Sequence, residues 1–168
     1  MNKSMIAIAM LVLAALAVSA CAPTPPPALS QAEVQEFVKA YVAAYNDGDD
    51  SKLMGLIQHD AAASSIASGR LYRGWDAISS SSSENLSALA RVSVSLGAVD
   101  VTLLAADSAL AVAPMVVNAE RFSQDGGGKL VSSEYPGALT MIVKRTPEGL
   151  RLIHEHHSVR ALAPAKGE

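Results

Sequence analysis

The densest group of titratable side chains in this sequence is His154-Glu155-His156-His157, close to the end of a 168-residue chain. Imidazole gives or takes a proton near neutrality, so a histidine here could serve as a general base or as a metal ligand. Two histidines at i and i+2 on a strand can chelate zinc, but a site needs at least a third ligand. The chain has 4 histidines, and His59 is the only one outside this cluster. No second chelating pair exists, so no metal is expected. A base also needs an acid or nucleophile within reach, and the spacing assigns none. No nucleophile elbow, phosphate loop or dinucleotide fingerprint occurs.

Parity decides which of these side chains could meet a ligand. Residues 150–160 alternate as a strand. Strict alternation puts His154, His156 and Ser158 on one face with Leu150 and Leu152, and Arg151, Glu155 and His157 on the other. The leucine face is expected inside, because burying Arg151 and Glu155 without partners would be costly. His154 and His156 should then enter a hollow near Tyr41 and Trp75. Desolvation there should keep at least one of the pair mainly neutral at pH 7.

The elements that must hold this strand are legible upstream. Ser30-Gln31-Ala32-Glu33 has the form of a capping box. Val34, Phe37, Val38, Tyr41 and Tyr45 follow at helical spacing, and Asn46-Asp47-Gly48 stops the helix. Asp49 or Asp50 caps a shorter helix with Leu53, Leu56 and Ile57 inward. Residues 61–68 could be a short strand. A third helix is expected from about Trp75 to Leu89, frayed at the serine run Ser79 to Ser83, because serine competes for backbone hydrogen bonds. From Arg91 the period changes to two. Residues 91–104, 108–122, 129–145 and 150–160 read as about four long strands, with turns at 125–128 and 146–149 and a weaker one at 105–107. Pro136-Gly137 predicts a bulge or bend. Helices followed by an antiparallel meander make an α+β pattern, with the helices packed on one face of a curved sheet.

The N-terminus reads differently. Lys3 precedes an apolar run from Met5 to Val18, which ends in Val18-Ser19-Ala20-Cys21. The run is short for a spanning helix, and small residues before the cysteine suit a signal peptidase. Val-Ser-Ala-Cys resembles the bacterial lipobox. That resemblance implies cleavage after Ala20 and acylation of Cys21, palmitate included, with enough chains for stable anchoring. Ala22, rather than aspartate, resembles outer-membrane sorting in a cell with two membranes, with the protein facing the periplasm. Residues 22–28 carry 4 of the chain's 8 prolines and should form an extended tether. The expected organisation is a lipoprotein signal peptide over 1–20, an acylated cysteine and tether over 21–29, one domain over 30–161, and a tail over 162–168. A net charge of −3 disfavours general nucleic-acid binding. With 1 cysteine, no internal disulfide can form.

Residues 40–49, AYVAAYNDGD, and residues 148–158, EGLRLIHEHHS, resemble the end of the first helix and the last strand of SnoaL-like domains. Arg73-Gly74-Trp75-Asp76-Ala77-Ile78 fits the loop and helix start between them. These domains belong to the nuclear transport factor 2-like superfamily, and the resemblance implies a cystatin-like α+β cone with a hollow. It hosts isomerases, dehydratases, oligomerisation modules and binding proteins, so the fold alone does not supply the function. Carried over from its steroid isomerases, the tyrosine falls on Tyr41, the general base on Ser65 and the second acid near Met141. Serine and methionine cannot do the work of those carboxylates, so steroid isomerisation is not expected.

The resulting expectation is an envelope lipoprotein whose pocket takes a small hydrophobic or mixed-polarity molecule without a cofactor. Its pocket candidates are Tyr41, Tyr45, Trp75, Met141, His154, His156 and Ser158. The alternatives are a lyase or isomerase using a pocket histidine as base, and an oligomerisation module forming a homodimer through the outer sheet face.

Overall fold

The computed structural model describes residues 27–67, 69–87, 90–122 and 130–160. The leader, Cys21, the turn at 125–128 and the tail at 162–168 lie outside the described residues.

Helix α1 covers Gln31–Asn46 and begins with the expected capping box: Ser30 accepts from the Glu33 amide while the Glu33 carboxylate accepts from the Ser30 backbone. Its inward stripe is Val34, Phe37, Val38, Tyr41 and Ala44. Gly48, at φ 66°, takes the left-handed conformation that follows the helix. Asp49 caps the short α2, Asp50–Gly55, by accepting from the Lys52 amide. Helix α3 covers Trp75–Ser87 and runs through the serine run without a break. The expected fraying there is absent, and two of the serines are held by tertiary structure. Ser82 donates to the Asp50 carboxylate at 3.0 Å, and Ser81 is buried.

The sheet has 7 strands rather than about four. They are β1 Ser64–Ala67, β2 Arg70–Arg73, β3 Arg91–Leu96, β4 Asp100–Leu103, β5 Ser108–Phe122, β6 Leu130–Thr146 and β7 Gly149–Val159. The order is β2-β1-β7-β6-β5-β3, with β4 also on β5. Two features account for the difference. The stretch read as one strand over 91–104 breaks at 97–99 into β3 and β4, both paired with β5. The residues around 61–73 form a whole hairpin, β1–β2, and β1 lies parallel to β7.

No bulge occurs at Pro136-Gly137, and β6 keeps its register there. Pro136 lies just past the last β6–β7 pair, Gly137 with Val159, so its missing N–H falls where that ladder ends. Its carbonyl accepts from the Arg160 amide at 3.0 Å. Gly137 is needed for a different reason: an added Cβ would overlap the Ser158 carbonyl oxygen.

The helices cover one face of the sheet and close a core of Leu29, Val34, Phe37, Val38, Leu53, Met141, Val143 and Leu152, among others. The chain enters this core at one end of β5. There the Leu29 amide donates to the Ala106 carbonyl at 2.8 Å, and Arg145 reaches Glu33 at 2.7 Å. Among the described residues, no helix is long and apolar enough to cross a membrane.

Candidate functional site

The site depends on one irregularity in β7. Val143 stands opposite Leu152, but Ile142 stands opposite His154, so Ile153 has no counterpart on β6. An extra residue of this kind reverses which side chains face inward beyond it. Leu152 is buried, and so is Glu155; His157 also points inward. His154, His156 and Ser158 therefore stand on the outer face. His154 contacts the Ser64 hydroxyl at 2.9 Å, while His156 and Ser158 are exposed. The uniform alternation expected from the sequence holds through Leu152 and fails at Ile153. The pair expected in the hollow, His154 and His156, is replaced there by Glu155 and His157.

Glu155 is only 5% exposed, and an unpaired carboxylate so placed would be strongly destabilising. It is not unpaired. Tyr41, on the inward stripe of α1, donates to Oε2 at 2.5 Å. Ser65, opposite Glu155 in the parallel β1–β7 ladder, donates to Oε1 at 2.7 Å. His157 Nε2 lies 3.0 Å from Oε2. Each hydrogen bond to a charged group is worth roughly 1.5–3 kcal/mol. Together they reverse the energetic argument against an inward Glu155.

These contacts set the protonation states. Burial pushes the Glu155 carboxyl up, but the charge and hydrogen bond of His157 and the hydroxyls of Tyr41 and Ser65 outweigh it, leaving the carboxyl at about 2. Burial pushes His157 down, yet the adjacent Glu155 carboxylate more than offsets this and raises it above its ordinary value of 6.5. Tyr41 is raised well above 10 by burial and by Glu155, and Tyr45 is raised for the same two reasons. Both phenols stay protonated and act as donors.

This polar cluster forms one wall of a cavity of about 490 Å³. Leu53, Ile57, Ile78 and Met115 give it apolar surface, and Tyr72, Arg121 and Tyr135 also line it. Mixed apolar walls with a few converging polar groups are the usual form of a small-molecule site.

The other expected residues fall as follows. Tyr41 and Tyr45 line the cavity. Met141 is wholly buried in the core, opposite Glu155 in the β6–β7 ladder, and is not among the lining residues. Trp75 faces a shallower depression with Arg151; its indole N–H donates to the Met54 carbonyl at 3.2 Å, and its ring centroid lies 4.4 Å from that of His59. Ser65, considered in the sequence only as a missing base, orients Glu155 instead. Sequence reasoning missed Glu155, His157, Tyr72, Arg121 and Tyr135. Arg121 had a usable signal, since it continues the inward row Met115, Val117, Ala119 at period two. Among the described residues, no group of three or more His, Cys, Asp or Glu could hold a metal ion.

A family model described as SnoaL-like domain matches residues 34–162. Among solved structures, an NTF2-like superfamily protein from Salmonella enterica serovar Typhimurium is 19% identical with a TM-score of 0.64, covering 81% of this chain and 95% of the other. A proposed dehydratase of the NTF2-like family from Streptomyces avermitilis is 22% identical with a TM-score of 0.65, covering 78% and 95%. A proposed scytalone dehydratase from Novosphingobium aromaticivorans is 11% identical with a TM-score of 0.65, covering 81% and 93%. At these identities the likeness concerns the fold. Comparison with curated proteins gives no match.

Proposed function

The chain belongs to the SnoaL-like domain family, and from that premise we propose that its cavity binds a small molecule of mixed polarity and that His157, held by Glu155, is its acid–base group in a lyase or isomerase reaction. The observation that carries this reading is the 3.0 Å contact between His157 Nε2 and Glu155 inside the cavity. With Nε2 turned to the carboxylate, Nδ1 is left for a ligand, and the carboxylate stabilises the imidazolium that forms when Nδ1 takes a proton. In its neutral form His157 would remove a proton from a ligand carbon next to a carbonyl. It would return that proton to another carbon in an isomerisation, or to a departing hydroxyl in an elimination that releases water. Tyr45, kept protonated by burial and by Glu155, is the donor for the carbonyl oxygen as it gains charge. Dehydratases among the structural relatives are in keeping with such chemistry.

A purely binding role is the second reading. It is favoured by the raised pKa of His157, because the adjacent carboxylate stabilises the charged ring and so opposes its action as a base. Solvent-deuterium exchange into a panel of β-hydroxy ketones and enolisable ketones, followed by NMR from pH 6 to 9, separates the two. Exchange that climbs with pH and vanishes in His157→Gln supports the acid–base role. Binding without exchange at any pH leaves the binding role alone.

We propose further that the domain is carried as a lipoprotein, anchored through Cys21 and held off the bilayer by the proline-rich segment, in the outer membrane facing the periplasm where the cell has two membranes. The support is the run from Met5 to Val18 and the sequence Val18-Ser19-Ala20-Cys21. Ser65 and Met141, which the resemblance sets at or near the positions of the steroid-isomerase carboxylates, give no reason to extend the proposal to steroids.

A further inference from the structure

The inward row of β5 reads Ala109, Ala111, Ala113, Met115, Val117 and Ala119, and then Arg121. A guanidinium thus continues a row that is otherwise apolar. Arg121 lines the cavity yet is exposed at its edge, one residue before β5 ends. Its neighbour Glu120 belongs to the other face, where it meets Arg91 at 3.6 Å and accepts from Ser132. Among the described residues, Arg121 has no carboxylate within ion-pair distance.

The charge balance of the lining is uneven. Among the described lining residues Glu155 is the only carboxylate, and it is enclosed by Tyr41, Ser65 and His157. Arg121 is left over. At the exposed edge of the described lining, the guanidinium of Arg121 is the charge that a ligand meets first. A cleft of one sign with apolar walls concentrates ligands of the opposite sign. Guanidinium also matches a planar oxyanion with parallel hydrogen bonds.

Resting on the small-molecule pocket proposed above, we propose that the ligand is an amphipathic anion: an apolar, ring-sized body lying against Met115, Ile57 and Ile78, with a carboxylate or similar oxyanion bound by Arg121 at the mouth. The Tyr135 hydroxyl, on the neighbouring strand and in the same lining, is the second donor for that group. Arg121 is on this reading a specificity-determining residue, separate from the acid–base pair.

Two fluorescent probes test this on the full chain. Both 8-anilinonaphthalene-1-sulfonate and N-phenyl-1-naphthylamine brighten in apolar pockets, and they differ by the sulfonate. In Arg121→Gln the Kd of the sulfonate should rise about ten-fold or more, while that of the neutral amine stays within about two-fold. Arg121→Lys should recover part of the loss. Added salt should weaken the sulfonate and not the amine. If the sulfonate binds equally well to wild type and Arg121→Gln, or if both probes weaken alike, Arg121 does not select an anion and the inference fails while the pocket reading stands. If neither probe binds wild type, the pocket reading fails, and the inference falls with it.

Discussion

Leu152 and Glu155 face the same side of the sheet, where strict alternation would set them on opposite sides. Ile153, unmatched on β6, makes the difference. One unpaired residue thereby converts a strand that begins as core into a strand that ends as a polar site. The first half supplies Leu152 to the packing, and the second supplies Glu155 and His157 to the cavity.

The direction of the His157 shift depends on Glu155. In wild type the ring should titrate above 6.5, because the carboxylate outweighs burial. In Glu155→Gln only burial remains, so the value should fall below 6.5. Proton-detected NMR titration of the ring reads both. A His157 value that does not move in Glu155→Gln would remove the carboxylate as its partner.

Tyr41→Phe and Ser65→Ala each delete one donor to a buried carboxylate. Each should lower unfolding free energy by roughly 1–3 kcal/mol in urea titrations. The two share a partner, so the double variant should depart from the sum of the singles. Strict additivity would mean that the hydroxyls do not act on a common charge.

Stability should fall in acid through a definite window. The folded value of Glu155, about 2, lies below its ordinary 4.5. Its contribution is present above about 4.5 and is lost as pH falls from there toward 2. His157 works in the opposite sense. Its raised value contributes fully below about 6.5, and the contribution is lost as pH rises through the folded value. Melting temperature against pH should therefore decline on both sides. Glu155→Gln should remove the loss between about 4.5 and 2 and the loss above about 6.5. It should leave a decline that starts as pH falls below about 6.5, where the buried His157 must take up a proton. A wild-type acid limb unchanged in that variant would contradict the assignment.

The anchor has its own test. Cys21→Ser should abolish labelled palmitate incorporation and release the protein from membranes. Retention of both properties in the variant would exclude lipidation at that residue.

The capped helices were legible because their signals are local. Ser30 with Glu33 and Asp49 with Lys52 satisfy donors within a single turn. The long strands were legible because period two persists over many residues. The β1–β2 hairpin was harder to read. Its small and polar residues give weak periodicity, and its place beside β7 is fixed by a parallel pairing distant in sequence. The site failed at a single residue. Nothing in Leu-Ile-His marks Ile153 as the unpaired one, since a bulge is set by how two strands fit across the ladder. The energetic rule used for the register was sound for an unpaired carboxylate. It gave the wrong face because Tyr41, Ser65 and His157 could be brought to Glu155 only by tertiary structure.

The hydrogen bond from Leu29 to Ala106 fixes where the chain enters the domain, just ahead of the first residues of β5, whereas Arg121 stands beside the last. Entry and mouth are opposite poles of one strand. Under the proposed anchoring, the tether joins the domain at the Leu29 pole, and the opening lies at the pole away from it. The domain would then collect its ligand from solution rather than lift it out of the bilayer to which it is tied.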